Sequence, residues 1–286
     1  MEFINNLMNY GFFQKAFFTS IMVGIICGVI GCFIILRGMA LMGDAISHAV
    51  LPGVALSYMF GINFLYGAVF TGLLTAVGIG FISQNSRVKS DSAIGIVFSA
   101  FFALGVILIS KAQTAQDLNQ ILFGNLLSVR SSDMWITLII GIIVLIVVIL
   151  FYKELLISTF DATMAAAYGL PTRVIHYVIM ILLTLVTVAS LQTVGVVLVV
   201  AMLITPASTA YLLTNKLSTM IYLSASFGAI SAVAGLYFSF KFDLASGAVI
   251  VLATTVLFIL AFIFSPKQGI LWRSIKMKRS QKAIQK

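Results

Sequence analysis

An all-α, polytopic membrane protein of eight or nine transmembrane helices is the fold class this sequence predicts, and three observations carry it. Hydrophobic residues make up 61% of the 286 and charged residues 9%, against roughly 25% charged in a soluble domain. Apolar runs long enough to cross a bilayer recur along the whole chain, separated by short polar stretches. Basic residues gather at alternate ends of those runs, as they do when spans are oriented by a membrane.

The runs lie near residues 14 to 36, 40 to 60, 64 to 83, 92 to 110, 134 to 152, 174 to 191, 194 to 214, 217 to 240 and 244 to 264. A hydrocarbon core of about 30 Å takes roughly 20 helical residues, and within a single segment only a helix satisfies its own backbone polar groups there. The opening MEFINNLMNYGFFQK has no basic n-region and no small-residue cleavage site, so the first run is expected to stay as a span. If the first run is interfacial or another is re-entrant, the count falls to eight. Pro206 and the glycine-rich second run are where broken helices are expected.

Orientation follows from the basic tail. Residues 1–266 form the membrane domain, and 267–286 carry Lys267, Arg273, Lys276, Lys278, Arg279, Lys282 and Lys286 with no acidic residue. A net charge of +9 would suit nucleic acid, but this placement fits a cytoplasmic end facing lipid headgroups. With the tail inside, Arg37, Arg87, Lys89, Lys153, Arg173 and Lys216 fall inside too, against Lys15, Lys111, Arg130 and Lys241 outside.

Two segments do not span. Residues 111 to 133 place Leu118, Ile121, Leu122, Leu126 and Leu127 at helical spacing, which predicts an outer amphipathic helix lying on the membrane or closing a cavity. On the inner side, KELLISTFDATMAAAYGLPTR predicts a short helix over about 158–170: Asp161 caps its start, Ala165, Ala166 and Ala167 give it a small-sided face, and Gly169-Leu170-Pro171 stop it. Such a helix between two spans suits docking of a cytoplasmic partner.

The absent motifs narrow the function. No G-x-x-x-x-G-K-[ST] occurs, so ATP would have to be used by a separate subunit. No H-E-x-x-H, G-x-S-x-G or pair of intramembrane aspartates points to an enzyme.

GDAISHAVLPG, residues 43 to 53, sets an aspartate and a histidine inside an apolar run. Asp44 and His48 are four apart, one above the other on a helix, within reach of one ion. Pro52 has no N–H to give the carbonyl of residue 48, so that oxygen is expected to be free for a cation or water.

GDAISHAVLPG, ISTFDATMAAAYGLP and LVVAMLITPASTAYLL together resemble the permeases of metal-ion ABC importers for manganese, zinc or iron, and the resemblance covers nearly the whole chain. It implies a homodimeric permease of the bacterial cell membrane. It also implies two cytoplasmic ATPase subunits and an extracellular or periplasmic metal-binding protein. Asp44 and His48 match the residues thought to meet the metal in that family, and Asp161, Ala165 and Gly169 are similar to the coupling-helix pattern of ABC permeases. No permanently bound cofactor is implied; the divalent metal is cargo. A two-fold axis would bring two carboxylates and two imidazoles together, a donor set suited to Mn, Fe or Zn rather than copper(I). The carboxylates offset the ionic charge that the bilayer otherwise rejects.

Two other readings stand beside this one. An ion-gradient-driven transporter would show further midplane carboxylates, and an intramembrane metalloenzyme would need a third ligand and a base. Elsewhere the expectations are plain. His176 reads as interfacial, and Cys27 and Cys32 as packing or lipid-facing residues. Gln192 and Thr193 line an outer gate or cap a helix, and Thr205, Ser208 and Thr209 satisfy the backbone around Pro206.

Overall fold

A span that is apolar on every side leaves its packing to shape rather than to an amphipathic stripe, and helix contacts are then set by where small residues let backbones meet. The computed structural model describes residues 9–112, 126 and 129–265. In chain order its helices are α1 (Gly11–Leu36), α2 (Ala40–Ala49), α3 (Leu51–Phe60), α4 (Phe64–Asn85), α5 (Ser90–Ala112) and α6 (Ser131–Leu150). There follow α7 (Tyr152–Phe160), α8 (Ala162–Ala167), α9 (Thr172–Val194), α10 (Val196–Leu213), α11 (Leu217–Phe242) and α12 (Ser246–Phe264). Of the predicted outer segment, 111–112 end α5, 131–133 begin α6, Leu126 is buried, and 113–125, 127 and 128 fall outside the described residues. The basic tail lies outside them too.

Among the described residues nine segments are long and apolar enough to cross a membrane, with α2 and α3 forming one of them. Their ends sort into two sets. One cavity collects Tyr58, Asn63, Arg130, Asp133 and Gln192, and another collects Arg37, Ser83, Ser90, Ser158 and Arg173. Those are the two sides that alternation assigns, and the start of α1 (Tyr10, Phe12, Phe13) shares a further cavity with Ser239, Asp243 and Leu244 at the end of α11, so the first run reaches the side opposite Arg37.

α1 is the axis of the bundle and packs against α6, α9, α10 and α11. A methyl group on Gly24 would lie 2.6 Å from the carbonyl oxygen of Gly228, so the α1–α11 crossing is closed backbone to backbone. Ser224 donates to the Gly28 carbonyl at 2.7 Å along the same seam. Cys27 and Cys32 are buried and unbridged within α1, as packing residues. α5, α6 and α12 are mostly exposed and form the rim.

The two expected breaks turn out differently. α10 runs through Pro206 without interruption, and Thr209 donates to the Thr205 carbonyl at 2.7 Å. The second span does break, at Val50, just before Pro52.

Candidate metal-binding site

Asp44 and His48 stand one turn apart on α2, where His48 Nε2 lies 3.6 Å from Asp44 Oδ1. That separation is within ion-pair range but longer than a hydrogen bond, so neither group is locked to the other and both can turn to a shared ion. His48 lies about 12 Å into the span from the α2 start, at 1.5 Å per residue. Its side chain is 23% exposed and that of Asp44 48%.

The imidazole is held from one side by α5. Phe98 and Phe102 each meet it edge-on with ring centroids 5.9 Å away, and the two phenyl rings stack on each other at 5.7 Å. These two positions carry no sequence signal of their own, since an aromatic pair four apart in an apolar span looks like any lipid contact. Among the described residues no group of three or more His, Cys, Asp or Glu gathers here or elsewhere. One copy of the chain therefore offers two side-chain ligands to a transition metal that takes four or more.

The expected free carbonyl at residue 48 is corrected by the structure. Backbone N–H groups at the break donate to the carbonyls of both Ile46 and His48, so the loss of the Pro52 donor is made good locally by a tighter turn. The carbonyl with an added partner is that of Val50, which accepts from Val54 N at 3.1 Å and from Thr71 Oγ1 at 3.3 Å. Pro52 instead serves packing. A methyl group on Gly105 of α5 would sit 3.1 Å from Pro52 Cδ and 2.7 Å from Leu51 Cβ, so the break rests directly on the α5 backbone.

At the end of the bundle that carries Arg37, the predicted docking helix is present in shorter form. α8 covers six residues, and α7 precedes it as a separate helix because Asp161, at φ −147° and ψ 95°, is extended. Asp161 Oδ1 accepts from Thr163 Oγ1 at 2.6 Å and from Met164 N at 2.8 Å. Those bonds, the Thr163 hydroxyl first, hold its carboxyl below the ordinary 3.8. Gly169, at φ +78°, ends the helix: Leu170 N donates to Ala165 O at 3.0 Å and Gly169 N to Ala166 O at 2.9 Å.

Ala165 is the exception to the expected outward face. It is 0% exposed and turned into the chain, while Ala166 and Ala167 stay exposed alongside Met164 at 49% and Tyr168 at 69%. Spacing put an alanine on a contact face; packing of α8 against α7 and α9 turned it the other way.

The remaining predicted positions are placed as follows. At the opposite end, Gln192 Nε2 donates to Asp133 Oδ1 at 3.0 Å beside a cavity of about 500 Å³, and Thr193 Oγ1 donates to the Ser190 carbonyl at 2.9 Å. His176 lies at the Arg37 end in a cavity with Arg37 and Arg173.

The model of the ABC 3 transport family matches residues 9–265. The chain belongs to that family. This family member is 66% identical over 276 residues to the manganese transport system membrane protein MntC of Listeria innocua, covering 96% of this chain and 99% of that one. It is 53% identical over 275 residues to the manganese import system permease protein ScaB of Streptococcus gordonii, covering 96% and 99%. Among solved structures, PsaBC from Streptococcus pneumoniae in complex with Fab superposes with a TM-score of 0.86 at 52% identity, covering 97% of this chain and 99% of that one. An ABC 3 permease with nine apolar helices among its described residues is a multi-pass protein of the bacterial cell membrane, and the ion-gradient-driven alternative is set aside by the family.

Proposed function

We propose that this chain is the membrane permease of an ATP-driven importer for a divalent transition metal, manganese ahead of zinc or iron, and that the ion passes between Asp44 and His48. The observation that carries the reading is an unfinished ligand set. A half-exposed carboxylate and a partly exposed imidazole stand on a membrane span, without a third ligand among the described residues. Left against lipid, a charged group in a span costs about 2.5 to 3.5 kcal/mol. A second copy related by a two-fold axis removes that penalty and brings the site to two carboxylates and two imidazoles. Among the described residues the metalloenzyme alternative finds no third ligand within one copy.

The names of the relatives support manganese as the cargo. With no P-loop in the chain, ATP is hydrolysed by a separate subunit. The basic end of the bundle faces the cytoplasm, and there Met164 and Tyr168 on α8, with Phe160 just before it, form an exposed apolar patch for that ATPase. The polar cavity of Tyr58, Asn63, Arg130, Asp133 and Gln192 then opens outward, on the side from which a metal-binding protein delivers.

Radioactive manganese uptake by cells carrying Asp44→Ala or His48→Ala tests the reading. Accumulation should be lost in both, while the amount of permease in the membrane and its co-purifying ATPase stay at wild-type levels. Full accumulation in either variant would overturn it.

A further inference from the structure

At the Arg37 end a cavity of about 360 Å³ is bordered by six elements. Arg37 closes α1, Ser83 and Gln84 end α4, Ser90 starts α5, Ser158 and Ala162 flank the α7–α8 joint, and Thr172, Arg173 and His176 open α9. Its charged lining is all basic. Asp91 and Asp161 are sequence neighbours of lining residues, but neither lines it.

Arg37 is the central group. It donates from Nε to Thr159 Oγ1 at 3.2 Å and from Nη2 to Ser158 Oγ at 2.9 Å, and among the described residues no carboxylate lies within ion-pair distance. Two hydroxyl acceptors orient the fork and leave three of its five N–H donors open. A half-buried guanidinium without a counter-anion is an expensive arrangement. Burial lowers its pKa from the ordinary guanidinium range to about 10, so it remains charged at cellular pH. Arg173 adds a second, exposed guanidinium, and Ser90 and Thr172 are the first residues of two 23-residue helices whose positive ends border the cavity. Planar forks, hydroxyls and helix starts converging from several directions match a tetrahedral oxyanion.

We propose that this cavity is a phosphate-binding site, filled by the phosphate of an anionic lipid headgroup or by free inorganic phosphate. Its size falls at the small end of ligand pockets, enough for a phosphate with a short ester arm. Basic pockets between spans on the cytoplasmic side take lipid phosphates. An occupant would tie the start of α9, which leads away from α8, to the ends of α1, α4 and α5. The ATPase-facing joint would thereby be fastened to the spans around Asp44 and His48.

The test uses the full-length permease with its co-purifying partners, delipidated in a neutral detergent. Its thermal midpoint is followed during titration with dioleoyl-phosphatidylglycerol against dioleoylglycerol, and with potassium phosphate against potassium chloride at equal ionic strength. The wild type should show a saturable rise with at least one phosphate probe and none with its control. A rise with phosphatidylglycerol alone assigns a lipid, and a rise with potassium phosphate assigns the free anion. Arg173→Gln, a change at an exposed residue, should weaken the apparent affinity about tenfold. Lys216→Gln, a basic residue outside the cavity, should leave it unchanged. No saturable rise in the wild type overturns the proposal, as expected if a partner's carboxylate fills the cavity instead. An affinity unchanged in Arg173→Gln, or lowered equally in Lys216→Gln, also overturns it.

Discussion

Replacing Tyr168 by alanine separates the docking surface of α8 from its fold. The ring is 69% exposed, so its removal leaves the chain's own packing nearly untouched. An aromatic side chain buries about 200 Å² when fully covered, so docking has roughly 140 Å² of Tyr168 left to cover. At about 25 cal/mol per Å² that is ~3.5 kcal/mol, or about 3 kcal/mol after allowing for the carbon that alanine keeps. The ATPase should therefore bind Tyr168→Ala roughly a hundredfold more weakly. The assay is equilibrium binding of the isolated ATPase subunit to permease in nanodiscs, with the thermal midpoint of the permease alone as control. An affinity within threefold of wild type, at an unchanged midpoint, would refute the assignment of this face. Ala165→Arg is the instructive contrast: Ala165 is fully enclosed, so an arginine there should lower the permease's own midpoint, and any loss of ATPase binding would follow from damage to α8.

Pro52→Ala should lower manganese and zinc uptake by the same factor, because the His48 carbonyl already has a donor and the proline acts by packing on Gly105. A loss confined to manganese would mean that the carbonyl is a ligand after all. Phe98→Ala or Phe102→Ala removes one of the rings that orient His48, and the apparent KM for manganese should rise roughly three- to tenfold with little change in maximal rate; an unchanged KM would leave those rings as lipid contacts only. Asp161→Ala should speed hydrogen exchange at the Met164 amide. Because the folded carboxyl is held below its ordinary 3.8, its cap is at full strength above that pH and is lost as pH falls through and below it. Asp161→Asn should keep the cap without the pH dependence, and equal sensitivity to acid in both proteins would count against the carboxylate's role.

The spans were readable because hydrocarbon sets a length and sequence keeps to it: the run read at 64 to 83 is the helix Phe64–Asn85, and that read at 217 to 240 is Leu217–Phe242. The placing of Asp44 and His48 side by side was readable because a four-residue spacing on a helix needs no tertiary knowledge. Which face of a uniformly apolar span meets which neighbour was not readable. That is why the rings of Phe98 and Phe102 around His48 and the Gly105 seat under Pro52 emerge only in three dimensions. Ala165 was misplaced for the same reason, since a six-residue helix can turn any side toward the spans beside it. The Arg37 cavity gathers residues from Arg37 to His176, and no local pattern joins them.

The partly exposed Asp44 and His48 also bear on how the protein is made. On the proposed pairing, a newly inserted copy would carry these polar groups uncovered in the bilayer until a second copy covers them. Pairing would then be favoured by the same groups that are proposed to handle the cargo. A surplus single copy would remain distinguishable by those uncovered groups. Removing both side chains should then lengthen the lifetime of an unpaired copy even as it ends transport, so that the groups which make the permease work are also those that mark it as incomplete.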